Sequence, residues 1–147
     1  EYRENHPEKN NPEKKKEYAK KWRENNPEKK KEYDKKYKRN RYSYDPLYAL
    51  TQRTRTLINN SLRNGGYSKT SRTHEILGCS YEEFYAHIES QFTEGMNWDN
   101  RDRWHIDHRT PISWAKTEEH VYELNHYTNL KPMWAEDNQH KLNRWAD

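Results

Sequence analysis

A lysine-rich near-repeat leaves the start of the chain with little apolar surface for a core. The segment NNPEKKKEY occurs at Asn10–Tyr18 and again at Asn25–Tyr33, a period of 15 residues. Each copy begins as helices begin, with Asn at the N-cap, Pro at the first helical position and Glu in the first turn. Aromatic residues then recur four positions apart, which predicts a narrow aromatic stripe on each helix. We therefore predict a basic helical arm over residues 1–42 and a folded body over residues 43–147.

The charge of the chain is divided between its two halves. Residues 1–73 hold 21 Lys and Arg against 10 Asp and Glu, whereas residues 74–147 hold 7 against 14. Such asymmetry is typical of an arm that binds a polyanion and a separate body. We expect the arm to become ordered on a nucleic-acid backbone, which gives affinity but no sequence specificity. Its phosphate-binding residues would be Lys14, Lys15, Lys16, Lys29, Lys30 and Lys31. A solvated lysine-rich linker is the alternative.

The composition also limits the class of protein. Cys79 is the single cysteine of the chain, so it excludes an intrachain disulfide and a Cys-rich zinc site and fits a reducing compartment. No run of about 18 apolar residues occurs, and no signal-type segment opens the chain. We expect a cytoplasmic protein that does not contact a membrane.

The body begins with segments of helical periodicity. Asp45 and Pro46 have the pattern of a helix start, and apolar residues follow at helical spacing until Gly65–Gly66. Arg53, Arg55 and Arg63 are expected on the outer surface of this helix, where they either contact phosphate or are solvated. Ser80 and Glu83 have the spacing of a capping box for a second helix. These helices predict a mostly helical support over residues 43–97.

Residues 98–147 hold the segments that carry chemistry. Trp104–His108 alternates bulky and polar residues as a short strand does, and Asn129–Trp134 is predicted as a second strand. The stretch AEDNQHKLNRW is predicted as a helix, with Leu142 and Trp145 packing inward. The expected fold class is α+β, mostly helical, with the order strand, connection, strand, helix.

The order of these motifs resembles the HNH endonucleases, a branch of the ββα-metal (His-Me finger) nucleases. The resemblance rests on Ile106–His108 followed by Pro111, on NLKPMW, and on Asn138 nine positions after Asn129. It extends from about Asp45 to Trp145 and is closest in character to HNH proteins of bacteriophages and their hosts. It implies a ββα-metal motif that hydrolyses double-stranded DNA to 5′-phosphate and 3′-hydroxyl ends.

The resemblance also implies a role for each motif residue. His108 matches the general base, and Asp107 matches the first metal ligand. Asn129 matches the asparagine that braces the loop carrying the base, and Asn138 matches the last metal ligand in its Asn variant. One carboxylate and one amide oxygen suit Mg²⁺ or Mn²⁺, and a histidine suits a base near neutral pH.

Two neighbouring residues are candidates for auxiliary roles. His105 shares the nominal strand face of Asp107 and could assist the metal or the phosphate. Arg109 stands where similar sequences carry an aliphatic residue, so it either contacts phosphate or points outward. No CxxC pair occurs, so we expect no structural zinc. Strand alternation would place Asp107 and His108 on opposite faces, unless the backbone bends there.

Two other functions fit the same sequence. The chain could be a non-catalytic DNA-binding or assembly protein that kept the fold, or a ribonuclease, since the same motif can hydrolyse RNA. Taken singly, Asp107 also fits a turn carboxylate and His108 a satisfied buried histidine. The sequence does not distinguish nicking from double-strand cleavage, and it leaves the oligomeric state open.

Overall fold

The computed structural model describes residues 11–141, of Lys141 only the backbone, and divides the chain into two units, residues 1–41 and 42–147. The described residues are mostly helical and form a two-stranded antiparallel sheet. This confirms the predicted α+β class. No helix among them is long and apolar enough to cross a membrane. The predicted packing of Leu142 and Trp145, and the first ten residues of the predicted arm, lie outside the described residues.

The first unit contains two helices that start where the near-repeat predicts. Helix α1 spans Pro12–Asn25 and helix α2 spans Pro27–Tyr44, so the end of α2 belongs to the second unit. The Oδ1 atom of Asn11 accepts the N–H of Glu13 at 2.9 Å and satisfies an orphan donor at the start of α1. Neither helix buries a residue within the described part of the chain. Packing against a core therefore does not hold these helices in place.

The helical support of the second unit has the apolar face that the sequence predicts. Helix α3 spans Pro46–Asn64, and Oδ1 of its N-cap Asp45 accepts the N–H of Tyr48 at 2.9 Å. Helix α4 is a short segment at Thr73–Leu77, and α5 spans Tyr81–Glu89 behind the capping box of Ser80 and Glu83. The support contributes a set of fully buried side chains to the core: Leu50, Ile58, Leu62, Leu77, Phe84 and Ile88.

The two strands and the last helix complete the second unit. Strand β1 spans Trp104–His108 and pairs antiparallel with β2, Leu130–Trp134, with Asp107 opposite Lys131. Helix α6, Glu118–Leu124, lies between the strands in sequence, and α7, Ala135–Lys141, follows β2 directly and packs on both strands. Trp104 is fully buried, and its ring meets that of Trp98 edge-on at 5.4 Å. Aromatic packing therefore anchors β1 against the helices.

Candidate active site

Strand β1 presents two chemically different faces. Trp104, Ile106 and His108 are buried, whereas His105 is exposed and Asp107 is half-buried. The pairing with β2 is continuous to the last residue of the strand, so the backbone does not bend between Asp107 and His108. The two side chains therefore leave the strand on opposite faces, as uninterrupted strand alternation predicts.

The His108 ring is held by a residue that sequence reasoning missed. Only 5 % of His108 is exposed, and its Nε2 lies 3.0 Å from Oδ1 of the fully buried Asn125. The Nδ2 of Asn125 donates to the carbonyl of Val121 at 2.8 Å, which fixes the amide with its oxygen toward the histidine. Because an oxygen can only accept here, Nε2 carries the proton and, in the neutral ring, Nδ1 carries the lone pair. No local pattern marks this pair, since Asn125 sits at the C-cap of α6.

Asn129 ties together the loop that follows His108. Its Oδ1 accepts the backbone N–H of Thr110 at 2.9 Å, and its Nδ2 donates to the Thr110 carbonyl at 3.1 Å and to the Leu124 carbonyl at 2.8 Å. Its own carbonyl accepts the N–H of Arg109 at 2.8 Å. All of its polar atoms are thus engaged with backbone, so Asn129 has the geometry of a brace and not of a group that meets a substrate.

Helix α7 brings Asn138 to the solvent-facing side of β1. The Nδ2 of Asn138 lies 3.1 Å from Nδ1 of His105. His105 and Asp107 are two positions apart on the same strand face, a separation of about 7 Å along the strand. The structure therefore gathers His105, Asp107 and Asn138 on one side of β1. No group of three or more His, Cys, Asp or Glu residues that could hold a metal ion occurs within residues 11–141.

The prediction that Arg53 lies on the outer surface is wrong. Its guanidinium donates to the Arg101 carbonyl at 2.9 Å and to the Trp104 carbonyl, and it lies over the Trp104 ring at 4.7 Å. Burial lowers the pKa of Arg53 below its usual range. Arg53 thus packs on the first residue of β1 and donates to two backbone carbonyls, one in the turn before the strand and one at its start. Arg55, one of the other surface candidates, is exposed as predicted.

The Arg109 side chain does not point straight outward but lies along the protein surface. It is half-buried, and its guanidinium donates to the side-chain oxygen of Gln91 just beyond α5. This contact ties the end of β1 to the helical support. The predicted contact of Arg109 with phosphate stays a prediction.

A groove runs beside the exposed face of β1. It encloses about 620 Å³ between the end of α2, helix α3 and β1. Its lining mixes polar and apolar side chains, namely Tyr42, Gln52, Arg53, Thr56, Leu57, Asn60, His105 and Ile106. His105 lines the groove and also contacts Asn138, so the groove shares this histidine with the residues gathered on the solvent-facing side of the strand.

The lysines predicted to bind phosphate lie in the first unit. Five of the six are exposed, namely Lys14, Lys15, Lys16, Lys29 and Lys31. Lys30 is half-buried and forms an ion pair with Asp34 one turn further along α2. The predicted phosphate contacts are therefore sterically open at the exposed five.

No family model matches this chain, and no solved structure matches it. An uncharacterized protein of Acanthamoeba polyphaga mimivirus is 34% identical to it over 99 residues, which are 63% of this chain and 41% of the viral protein. The chain thus covers less than half the length of that relative.

Proposed function

We propose that this chain is a metal-dependent DNA endonuclease of the HNH type, in which β1, β2 and α7 form a ββα-metal motif. One observation carries the proposal: α7 brings Asn138 to the face of β1 that holds Asp107, 3.1 Å from His105, while Asn129 braces the loop after His108. The four residues that the resemblance selects thus lie on β1 or in segments that contact it or the loop after it, and this supports the proposal.

The proposed metal ligands fit a hard divalent cation. Asp107 and Asn138 would hold it through a carboxylate and an amide oxygen, the donors that Mg²⁺ and Mn²⁺ prefer. Two protein ligands leave the remaining positions to water and phosphate oxygens, as is usual for Mg²⁺ in phosphoryl chemistry. When bound, the cation would neutralise charge on the phosphate and on the departing oxygen.

We assign His108 the role of general base on the other side of the scissile phosphate. Water attacks phosphorus opposite the leaving group and its proton passes to Nδ1 of His108. The bond to the 3′-oxygen breaks, and this oxygen takes a proton from solvent water, which gives 5′-phosphate and 3′-hydroxyl ends. Asn125 holds the proton on Nε2, so the accepting lone pair lies on the opposite nitrogen. Because Asp107 and His108 leave β1 on opposite faces, base and ligand can flank one phosphate.

The DNA-binding part of the proposal rests on charge and on the groove beside β1. The exposed lysines of α1 and α2 and the exposed Arg55 supply cations for phosphates. The groove beside β1 is lined in part by His105 and offers a path for one strand toward the site. A cytoplasmic location, in a bacterial host or in a phage-infected cell, belongs to the same proposal.

A second candidate function is favoured by the burial of His108. A histidine that is 5 % exposed and hydrogen-bonded to a buried amide is also what a structural histidine looks like. The chain would then be a non-catalytic DNA-binding protein that retains the fold. In this role the chain would bind DNA but would cleave neither DNA nor RNA.

The decisive experiment is cleavage of supercoiled plasmid with Mg²⁺ or Mn²⁺, beside structured RNA as a second substrate. We expect plasmid nicking by the wild type and a fall of about 10²- to 10⁴-fold in His108→Ala, the usual contribution of a general base. Asn138→Ala should be similarly impaired. His140→Ala and Gln139→Ala are matched controls, since both residues are exposed on α7, and should cleave normally.

The proposal fails if the wild type binds the plasmid but leaves it intact with every divalent ion. It also fails if His108→Ala cleaves as fast as the wild type. If only RNA were cleaved, the proposed phosphodiester hydrolysis would stand, but the substrate would be RNA and not DNA.

A further inference from the structure

The first unit contains an aromatic groove that the proposed nuclease chemistry does not use. The groove encloses about 470 Å³ between α1 and α2, within the usual range of ligand pockets. Its lining combines aromatic rings with cationic side chains: Tyr18, Ala19, Trp22 and Arg23 from α1, and Lys30 and Tyr33 from α2.

Core packing does not explain these rings. Tyr18 is 73% exposed, Tyr33 is 65% exposed and Trp22 is 39% exposed. Neither α1 nor α2 buries any residue within the described part of the chain. Large aromatic groups gathered on an open surface mark an interaction site more often than a stabilising one. The near-repeat places Tyr18 and Tyr33 at equivalent positions of its two copies, so the ring spacing is a property of the repeat itself.

The surroundings of the groove are strongly cationic. Residues 11–41 hold 14 Lys and Arg against six Asp and Glu. Some of these charges are compensated along the helices, as in the pairs of Lys21 with Glu17 and Lys30 with Asp34, but a clear excess of positive charge is left. A ligand that complements both features must carry negative charge and must present flat apolar faces.

We propose that α1 and α2 bind single-stranded nucleic acid, with unpaired bases stacked on Trp22, Tyr18 and Tyr33 and with the lysines on the backbone. Aromatic platforms inside a cationic surface are the general solution for binding single strands, because every base has a stackable face. A duplex hides those faces between neighbouring base pairs, so it can use the lysines but not the rings. The site goes beyond the proposed endonuclease and does not depend on it.

Binding of the full chain to labelled oligonucleotides tests the assignment, with EDTA present so that no metal-dependent cleavage takes part. The probes are oligo(dT), oligo(rU) and a DNA duplex of equal length, followed by fluorescence anisotropy. Trp22→Ala should weaken both single-strand affinities by about 5- to 100-fold, the usual effect of removing one stacking side chain. Duplex affinity should change by less than about twofold, since the number of phosphate contacts is retained.

Two variants keep the result independent of folding. Trp22→Phe retains an aromatic face and should bind single strands nearly as well as the wild type. Tyr37→Ala removes a 50% exposed ring of α2 that does not line the groove, and it should have little effect.

Three results would overturn the inference: unchanged single-strand binding in Trp22→Ala, equal losses on duplex and single strand, or equal losses in Tyr37→Ala. Sedimentation adds a fourth, because a dimer that dissociates in Trp22→Ala would identify a second copy of the chain as the occupant. These binding measurements do not depend on cleavage, so they test the inference even if the chain does not cleave plasmid DNA.

Discussion

The Nε2 atom of His108 lies 3.0 Å from the Oδ1 atom of Asn125, and neither side chain has more than a small edge in contact with solvent. Asn125 is fixed in turn by its bond to the Val121 carbonyl, so the end of α6 decides which nitrogen of the histidine keeps its proton. Helix α6 thus belongs to the proposed catalytic machinery, although none of its residues would touch the substrate.

Asn125→Leu should uncouple His108 from α6. The leucine is of similar size but accepts no hydrogen bond, so the unfolding free energy should fall by about 1–3 kcal/mol for an unsatisfied buried donor. Cleavage should fall by at least about 10-fold, and by up to about 10⁴-fold if the wrong tautomer forms, as in a catalytic triad. Urea unfolding and plasmid cleavage measure the two effects. In a His108→Ala background the same substitution should no longer change the cleavage rate; an equal loss there would assign Asn125 a purely structural role.

Asn129→Ala should loosen the loop after β1 without removing any group proposed to meet DNA. Three hydrogen bonds to backbone disappear, so a loss of about 1–3 kcal/mol in unfolding free energy is expected. DNA binding should stay close to that of the wild type while cleavage declines. Asn59→Ala is the control, because Asn59 is exposed on α3 and does not line the groove beside β1. It should change stability by less than about 0.5 kcal/mol.

Arg53→Ala and Arg55→Ala should have opposite signatures, although both were expected to contact phosphate. Arg53 donates to two backbone carbonyls and lies over Trp104, so its removal should lower the unfolding free energy by about 1.5–3 kcal/mol. Arg55 is exposed, so its removal should leave stability unchanged and weaken DNA binding. Urea unfolding and anisotropy separate the two. If Arg53→Ala were as stable as the wild type, its packing role would be refuted.

Cys79 should react slowly with disulfide reagents. Burial, followed by the nearby Glu83 carboxylate, raises the pKa of its thiol to about 11, so little thiolate exists at pH 8. The same pKa shift makes the unfolding free energy depend on pH. In the unfolded chain the thiol ionises near its ordinary pKa of 9.0, so the unfolded state loses protons first and the unfolding free energy falls as pH rises from about 9 to 11. Reaction with an aromatic disulfide reagent at pH 8, with and without denaturant, measures the thiolate fraction, and Cys79→Ser should remove the Cys79 contribution to the pH dependence. Fast labelling of the native protein would contradict the raised pKa.

The parts of the fold that the sequence could predict are those determined locally. The caps at Asn11, Asp45 and Ser80 depend on side chains that bond to backbone two or three residues away, and the alternation of β1 depends on adjacent residues. The contacts that could not be predicted join distant segments. Arg53 meets Trp104 across 51 positions and His108 meets Asn125 across 17, and neither pair carries a periodic signal. Helix α4 was missed because five residues are too few to show helical periodicity.

The candidate site divides in the same way. The spacing of the motifs selected Asp107, Asn129 and Asn138. In the structure, Asn129 is bonded to the loop after β1 and Asn138 lies beside His105. The contact between His105 and Asn138 depends on how α7 leaves β2, which no spacing encodes. The assignment of catalytic roles remains a proposal that cleavage must test.

Because β1 alternates strictly between buried and open positions, the proposed site depends on the register of its pairing with β2. A shift of one position against β2 would exchange the two faces, turning the carboxylate of Asp107 into the protein and the imidazole of His108 toward solvent. A sheet with this shifted register would bury the Asp107 carboxylate and would lose the hydrogen bond between His108 and Asn125. A single insertion or deletion inside the strand is therefore expected to abolish the proposed chemistry even where most of the helical scaffold still assembles.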